Sequence, residues 1–362
     1  MNQRRVHILY ESAVDGMPHG SAYIRLLRPF THPSLHADLQ VTSGLTYEDQ
    51  GVDAVVVDRL WRPDVSPALA EGLAESVRRA GARLIYALDD NLLDLPPRRL
   101  PLVSPSEPWP TEDHLWIVRF FLRRADGVLV TTQALKERFL EFNQNIAIIP
   151  QALDERLLVA GDMYRGEALF RPRKKVIGYM GTFTHDEDLE MVLPALRTLC
   201  QRHPQEVEIQ IIGVAGQPDT LQALQELPVR SVHSAPEEVD YPLFMLWFTS
   251  RVRWDIAISP LCDTLFNRCK SDIKFLDYSA IGAPGIYSAV PAYASTVRHG
   301  ETGWLVENDA EAWIEALDTL LSDADLRAHL AQNATRYLYT QRTLAQSAQH
   351  WLSALESLLD GP

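Results

Sequence analysis

The densest group of residues able to do chemistry lies at Asp263-Thr264-Leu265-Phe266-Asn267-Arg268-Cys269-Lys270-Ser271-Asp272-Ile273-Lys274-Phe275-Leu276-Asp277. The chain has 34 basic residues, of which only Lys136, Lys174, Lys175, Lys270 and Lys274 are lysines. Two of those five fall within five positions here, beside Arg268, in a chain of net charge −14. Ser271 is placed to cap a helix running through Asp277, where Lys274 and Asp277 share a face. Backbone N–H groups, a hydroxyl and cationic side chains around one point suit a diphosphate leaving group, whose negative charge grows as its bond breaks. A second candidate is Asp89-Asp90, which closes the apolar run Leu84–Leu88. Adjacent carboxylates at a strand end can take a proton, hold sugar hydroxyls or bind Mg²⁺, and they can equally form an Asx turn that caps a helix. A third is the turn through Gly20 and Ser21, with Ser21 as N-cap of a helix whose free N–H groups could hold an anion. No GxGxxG fingerprint occurs, which weakens a nicotinamide or flavin reading.

These residues need strands to hold them. Apolar, β-branched runs occur at 6–10, 54–57, 84–88, 127–130 and 146–149, and again at 175–180, 207–212, 254–259, 285–287 and 303–306. Helical patterns lie between them at 67–80, 111–124, 133–142, 189–202 and 311–321. Such alternation predicts βαβ units and parallel sheets buried on both faces. The pattern pauses after Ile149-Pro150, and 362 residues at roughly 150 per domain suggest two domains. The expected division is one α/β domain over 1–160, a second over 172–335 and a terminal helix over 336–362 packing back on the first. Ligands in doubly wound sheets bind beyond the carboxyl ends of the strands, so two facing sheets would enclose a cleft. Composition narrows the class further. Hydrophobic residues make up 46% and charged residues 23%, the balance of a globular chain. Three scattered cysteines, 200, 262 and 269, argue against a disulfide framework or a structural zinc. No run reaches the ~18 apolar residues of a membrane span. A cytoplasmic protein is expected, and the acidic balance makes nucleic acid an improbable partner.

Four segments, in order, carry a resemblance. Ile148-Ile149-Pro150-Gln151-Ala152-Leu153-Asp154 is similar to an interdomain "VIPNGVD" segment, and Ile177-Gly178-Tyr179-Met180-Gly181-Thr182-Phe183 to the strand and glycine loop that open a donor domain. Lys274–Pro284 resembles "KLFEYLAAGKP", and Gly300–Val306 resembles "NGVTGLLV". Together they resemble the family-4 group of retaining, nucleotide-sugar-dependent glycosyltransferases with the GT-B fold, two Rossmann-like doubly wound domains facing each other across a cleft with helices at the C-terminus.

The resemblance implies a nucleotide-diphosphate sugar as donor, a glycan, glycolipid or other glycoconjugate as acceptor, and no metal or other cofactor. Asp277 then matches the second of the family's paired acidic residues and would bind the donor ribose. Lys274 matches the family's lysine, Gly181 and Thr182 the loop at the diphosphate, the segment holding His233 the nucleobase contact, and Gly20 and Ser21 the first-domain glycine loop. The donor-binding set is Gly20, Ser21, Gly181, Thr182, His233, Arg268, Lys270, Ser271, Lys274 and Asp277, and the catalytic set is Asp89, Asp90 and Lys270. Two departures stand out. The family's first acidic residue is Cys269 here, and the basic clamp of its glycine loop is replaced by Thr182 and the neighbourhood of Glu187. Lys270, Lys274 and Arg268 are expected to supply the missing charge. A non-catalytic glycan-binding or partner subunit, a sugar-nucleotide epimerase and a phosphorylase are the alternatives. Weak peripheral membrane association stays open, although no basic amphipathic helix is present.

Overall fold

A computed structural model describes residues 3–12, 15–49, 51–95, 97–100, 104–164, 174–181, 185–213, 218–235 and 240–360. Strands β1 (Arg4–Leu9), β2 (Leu39–Gly44), β3 (Ala54–Asp58), β4 (Arg83–Leu88), β7 (Gly127–Val130) and β8 (Ile146–Ile148) form one sheet, in the order β2-β1-β3-β4-β7-β8. An antiparallel ribbon of β5 (Arg98–Leu100) and β6 (Ser104–Trp109) follows β4. The second sheet holds β9 (Lys175–Gly181), β10 (Val207–Gly213), β11 (Val229–Val232), β12 (Ile256–Ser259), β13 (Gly285–Ser288) and β14 (Trp304–Val306), ordered β11-β10-β9-β12-β13-β14. Every pairing within the two large sheets is parallel. The architecture is the expected α/β, GT-B arrangement. Central strands β3, β7, β12 and β13 are buried at every residue because helices cover both faces. Edge strands β2 and β11 are mostly half-buried or exposed, with Leu39 the one buried residue of the two, so neither shows a continuous apolar run.

In each sheet the chain reverses direction beside its first strand, between β1 and β3 and between β9 and β12. Crevices open at the carboxyl ends of strands at such points. On the other side of β9, at the end of β10, Gly213, at φ +108°, brings its backbone against the Gly181 carbonyl so closely that a Cβ would sit 1.7 Å from that oxygen.

Beyond β8 the chain passes toward the second domain. Asp154 caps the helix Glu155–Met163, accepting from the Arg156 N–H at 3.0 Å. The apolar face of that helix, Leu157 and Leu158, is buried with Met245 and Phe248 of the second domain. Gly161 permits this contact, since a Cβ there would lie 1.8 Å from Thr249 Oγ1 in the helix Tyr241–Arg251. Gly161→Ala is therefore expected to lower stability by about 1–3 kcal/mol through overpacking, read from the urea midpoint at unchanged slope. The return crossing is at Arg342-Thr343, where Leu153 N–H donates to the Arg342 carbonyl and Leu344 N–H to that of Leu153, both at 2.9 Å. Helix Leu344–Leu359 then buries Trp351, Leu352 and Leu355 against Val6, Ile8, Leu26 and Phe30 of the first domain.

Candidate functional site

The second domain's part of the site grows from the ends of β9 and β12. Gly181 ends β9, Thr182 lies outside the described residues, and His185 precedes the helix Asp186–Arg202. His185 Nδ1 is 2.7 Å from Asp188 Oδ2. Asp188 is 3% exposed, and its other oxygen accepts from the Cys262 N–H at 2.7 Å and from Asn267 Nδ2 at 3.1 Å. The loop after β12 thus fixes the first turn of the helix that follows β9. Against the opposing effect of burial, the His185 hydrogen bond holds the Asp188 carboxyl below its usual range.

Lys270 and Lys274 converge on this point. Lys270 Nζ sits 4.5 Å above the Phe266 ring and 3.2 Å from Asp90 Oδ1 across the interdomain cleft. Lys274 Nζ lies 5.1 Å from the centre of the Tyr179 ring, is buried, and makes no hydrogen bond among the described residues. Burial pulls the Lys274 ammonium down to about 8, with Lys270 adding to the effect and Asp188 and Asp277 opposing it. Burial likewise pushes the Asp277 carboxyl up to about 7, although Lys274 opposes the shift. His185 is drawn down to about 4 by burial and then by Lys274 and Lys270. Perturbed groups gathered at the carboxyl ends of parallel strands mark a candidate functional site.

The first domain presents a compact charge network. Asp58 is wholly buried; it accepts from the Glu11 N–H at 3.0 Å and pairs with the guanidinium of Arg25. Arg25 lies in a π-helical turn, Tyr23–Leu27, and also reaches Asp89 at 3.1 Å. Arg59 contacts Asp89 at 2.6 Å, Asp90 at 2.9 Å and Glu11 at 3.0 Å. Burial raises the Asp90 carboxyl, but Lys270 and Arg59 outweigh it and hold the group ionised well below the usual carboxylate range.

Several contacts close the cleft on this side. Ser271 Oγ donates to Gln151 Oε1 at 2.6 Å, and Thr132 Oγ1 donates to the Cys269 carbonyl at 2.9 Å. Phe266 and Cys269 join the first domain's apolar cluster with Leu92 and Leu95. Tyr23 stacks on Tyr241 with ring centres 6.1 Å apart.

The structure thus brings together Asp89, Asp90, Lys270, Ser271 and Lys274, with Asp277 one helical turn beyond Lys274. Gly20 meets the second domain, its Cβ position lying 3.5 Å from the Tyr241 ring. Arg268 stands apart: its guanidinium is committed to Asp263 at 2.6 and 2.8 Å, and its side chain is 52% exposed. His233 is exposed just past β11. Two expected caps are corrected. The first helix starts at Gly20 with His19, not Ser21, as its N-cap residue. Asp272, not Ser271, precedes the helix Ile273–Ala280, and Ser271 spends its hydroxyl on Gln151 instead. Asp272 is itself held by Arg342 at 2.7 and 2.8 Å, and the same guanidinium donates to the Gln151 carbonyl. Sequence reasoning missed Arg25, Arg59, Gln151, His185, Asp188 and Arg342. The run His185-Asp186-Glu187-Asp188, directly after the glycine loop, was the one local signal available for His185 and Asp188.

Residues 174–323 match the family of group 1 glycosyl transferases. The D-inositol 3-phosphate glycosyltransferase of Corynebacterium urealyticum is 26% identical over 261 residues, covering 66% of this chain and 59% of its own. The N-acetyl-α-D-glucosaminyl L-malate synthase of Bacillus anthracis is 22% identical over 231 residues, covering 62% and 58%. The chain therefore spans less than two thirds of the length of these curated relatives. Among solved structures, HepE of Anabaena in complex with UDP and glucose superposes with a TM-score of 0.66 at 16% identity, covering 98% of this chain and 100% of that one. The sucrose-phosphate synthase of Thermosynechococcus elongatus gives 0.65 at 15% identity, covering 99% of each. Residues of the second domain thus match the group 1 glycosyl transferases, and the chain as a whole shares the GT-B fold of these solved structures.

Proposed function

We propose that the protein transfers a sugar from a nucleotide-diphosphate donor to a hydroxyl of a glycan or glycoconjugate, with retention at the anomeric carbon. The observation that carries this reading is the buried ammonium of Lys274, without a hydrogen-bond partner among the described residues, beside Lys270 and the first turn of the helix Asp186–Arg202. An unpaired buried cation is costly, and an anion held there would satisfy it. The diphosphate sits between the two lysines and the helix amides, and Asp277 accepts from the ribose hydroxyls. The acceptor approaches from Asp89 and Asp90. In front-face displacement the acceptor oxygen bonds to the anomeric carbon as the bond to the diphosphate breaks, and the departing phosphate oxygen takes the acceptor proton. The protein then positions the reactants and stabilises the leaving charge. A bound metal is not required, and turnover in EDTA should match that without it.

A thermal-shift screen with uridine, guanosine, thymidine, adenosine and cytidine diphosphates tests the reading. One of them should stabilise the fold by about 2.7 kcal/mol at a hundredfold excess over its Kd. UDP is the first choice because the Anabaena neighbour binds it. Binding of none of the five would sink the donor site. It would favour the reading as a non-catalytic glycan-binding subunit, which the loss of the glycine-loop clamp and the presence of Cys269 also favour.

A further inference from the structure

The described site contains a group that the proposed reaction has not yet used. His185 is 12% exposed and tethered through Nδ1 to Asp188 at 2.7 Å. The carboxylate must accept, so Nδ1 carries the proton and the neutral ring leaves a bare lone pair on Nε2. Nε2 makes no hydrogen bond among the described residues. The ring sits at the start of the helix Asp186–Arg202, where a cation is disfavoured by the helix dipole, and within electrostatic range of two lysines. In the free protein these surroundings keep the ring neutral. A diphosphate reverses the balance, because it brings negative charge to the same point and its oxygens can be bonded by Nε2 only if Nε2 carries a proton.

We propose that His185 is the proton-accepting arm of the donor site: it binds one solvent proton as the nucleotide diphosphate binds, and as an imidazolium donates to a phosphate oxygen in place of the fixed cation that the glycine loop lacks. The inference rests on the donor-site reading above. The balance is one proton taken from buffer per donor bound, returned when the nucleotide leaves. Asp188 is the positioning partner that fixes the ring and the tautomer. The other charged groups within electrostatic range of the ring are Lys270 from the segment after β12, Lys274 with Asp277 behind it, and Asp90 from the first domain. Lys274 and Asp277 also titrate near neutrality, so total uptake alone does not identify His185 and a variant comparison is needed.

The test is calorimetry of the full chain with UDP at pH 7 in two buffers of different ionisation enthalpy. The wild type should take up about one proton more than His185→Gln, and its affinity should fall by roughly tenfold per pH unit where the free ring is neutral and the bound ring charged. His185→Gln should bind more weakly with a flatter pH profile. His185→Arg, a permanent cation, should restore affinity without restoring the uptake. In a ¹⁵N-histidine spectrum, the two ring nitrogens of His185 should converge on adding UDP, a signature that a purely structural residue would not give. Equal proton uptake by the wild type and both variants, or a ring that stays neutral in the complex, overturns the role of His185 while leaving the donor site intact. Failure of UDP and of the other four diphosphates to bind overturns the donor site and this role with it.

Discussion

Lys274→Met is expected to lower kcat by about 10²–10³ while raising the stability of the ligand-free protein, whereas Lys270→Ala loses a similar share of turnover with no gain in stability. Both lysines face the proposed diphosphate, so each removes one preorganised cation from the leaving group, worth about 2.7–4 kcal/mol of transition-state stabilisation. Their resting states differ. Lys270 already pairs with Asp90 at 3.2 Å, and its loss leaves that carboxylate to Arg59 alone. Among the described residues, Lys274 Nζ meets the face of the Tyr179 ring and no hydrogen-bond partner. Lowering its ammonium from 10.5 to about 8 corresponds to roughly 3 kcal/mol of folding energy withheld. Part of that returns in the methionine variant. The remainder is lost because Asp277 and Asp188 lose a cation, leaving a net gain of about 1–2 kcal/mol at pH 7. The sign follows from linkage. A lysine whose folded pKa is depressed withholds its full stability below about 8, and the deficit closes as pH rises toward 10.5. The advantage of the variant should therefore be largest near neutrality and gone by about pH 10. Urea titrations at pH 7 and pH 10, beside turnover with the identified donor, measure both halves. Near-normal turnover in both variants would show that these lysines do not hold the leaving group.

The two sheets were legible because their central strands are covered on both faces and must be apolar throughout, as Val55, Val56 and Val57 are. The edge strands β2 and β11 were not. Leu39–Gly44 buries only Leu39 and Val229–Val232 buries no residue, so both read as loops. Site residues divide in the same way. Lys270 and Lys274 stood out because lysine is scarce and the two fall within five positions, and Asp277 because it shares a helix face with Lys274 and matches the family pattern. Arg25 and Arg59 look like any of the many arginines until the fold sets β1, β3 and β4 side by side. Arg268 shows the converse. Its neighbours in sequence made it a phosphate ligand, but Asp263, five residues earlier, lies within reach of its guanidinium on the exposed side of the short helix Leu265–Arg268. Cys269 occupies an acidic residue's place in the family pattern, yet here it is buried in one cluster with Leu92 and Leu95, its sulfur taking a 3.6 Å contact from Asn91 Nδ2. Burial raises its thiol pKa, so that position contributes no negative charge.

Arg25→Met should cost about 3–5 kcal/mol of stability, measured from urea unfolding at pH 7, with a loss of turnover in whatever protein remains folded. Arg25 is 2% exposed and Asp58 is wholly buried; removing the guanidinium leaves that carboxylate with one backbone N–H from Glu11. The surroundings cannot compensate, since Asp58, Asp89, Asp90 and Glu11 would then share Arg59 and Lys270. Burial already holds Glu11 above the usual carboxylate range, with Asp58 adding to the effect and Arg59 opposing it. In the variant the unpaired carboxyls take up protons more readily than in the unfolded chain. A carboxyl raised in this way costs most above its folded pKa, so the deficit should shrink as pH falls. Replacing both partners, Arg25→Met with Asp58→Leu, removes the stranded charge together with its cation and should recover most of the stability. Turnover should not return with it, because Asp89 at the end of β4 loses one of the two arginines that hold it beside Asp90, the partner of Lys270. A double variant with restored stability and full activity would mean that the network serves only the fold.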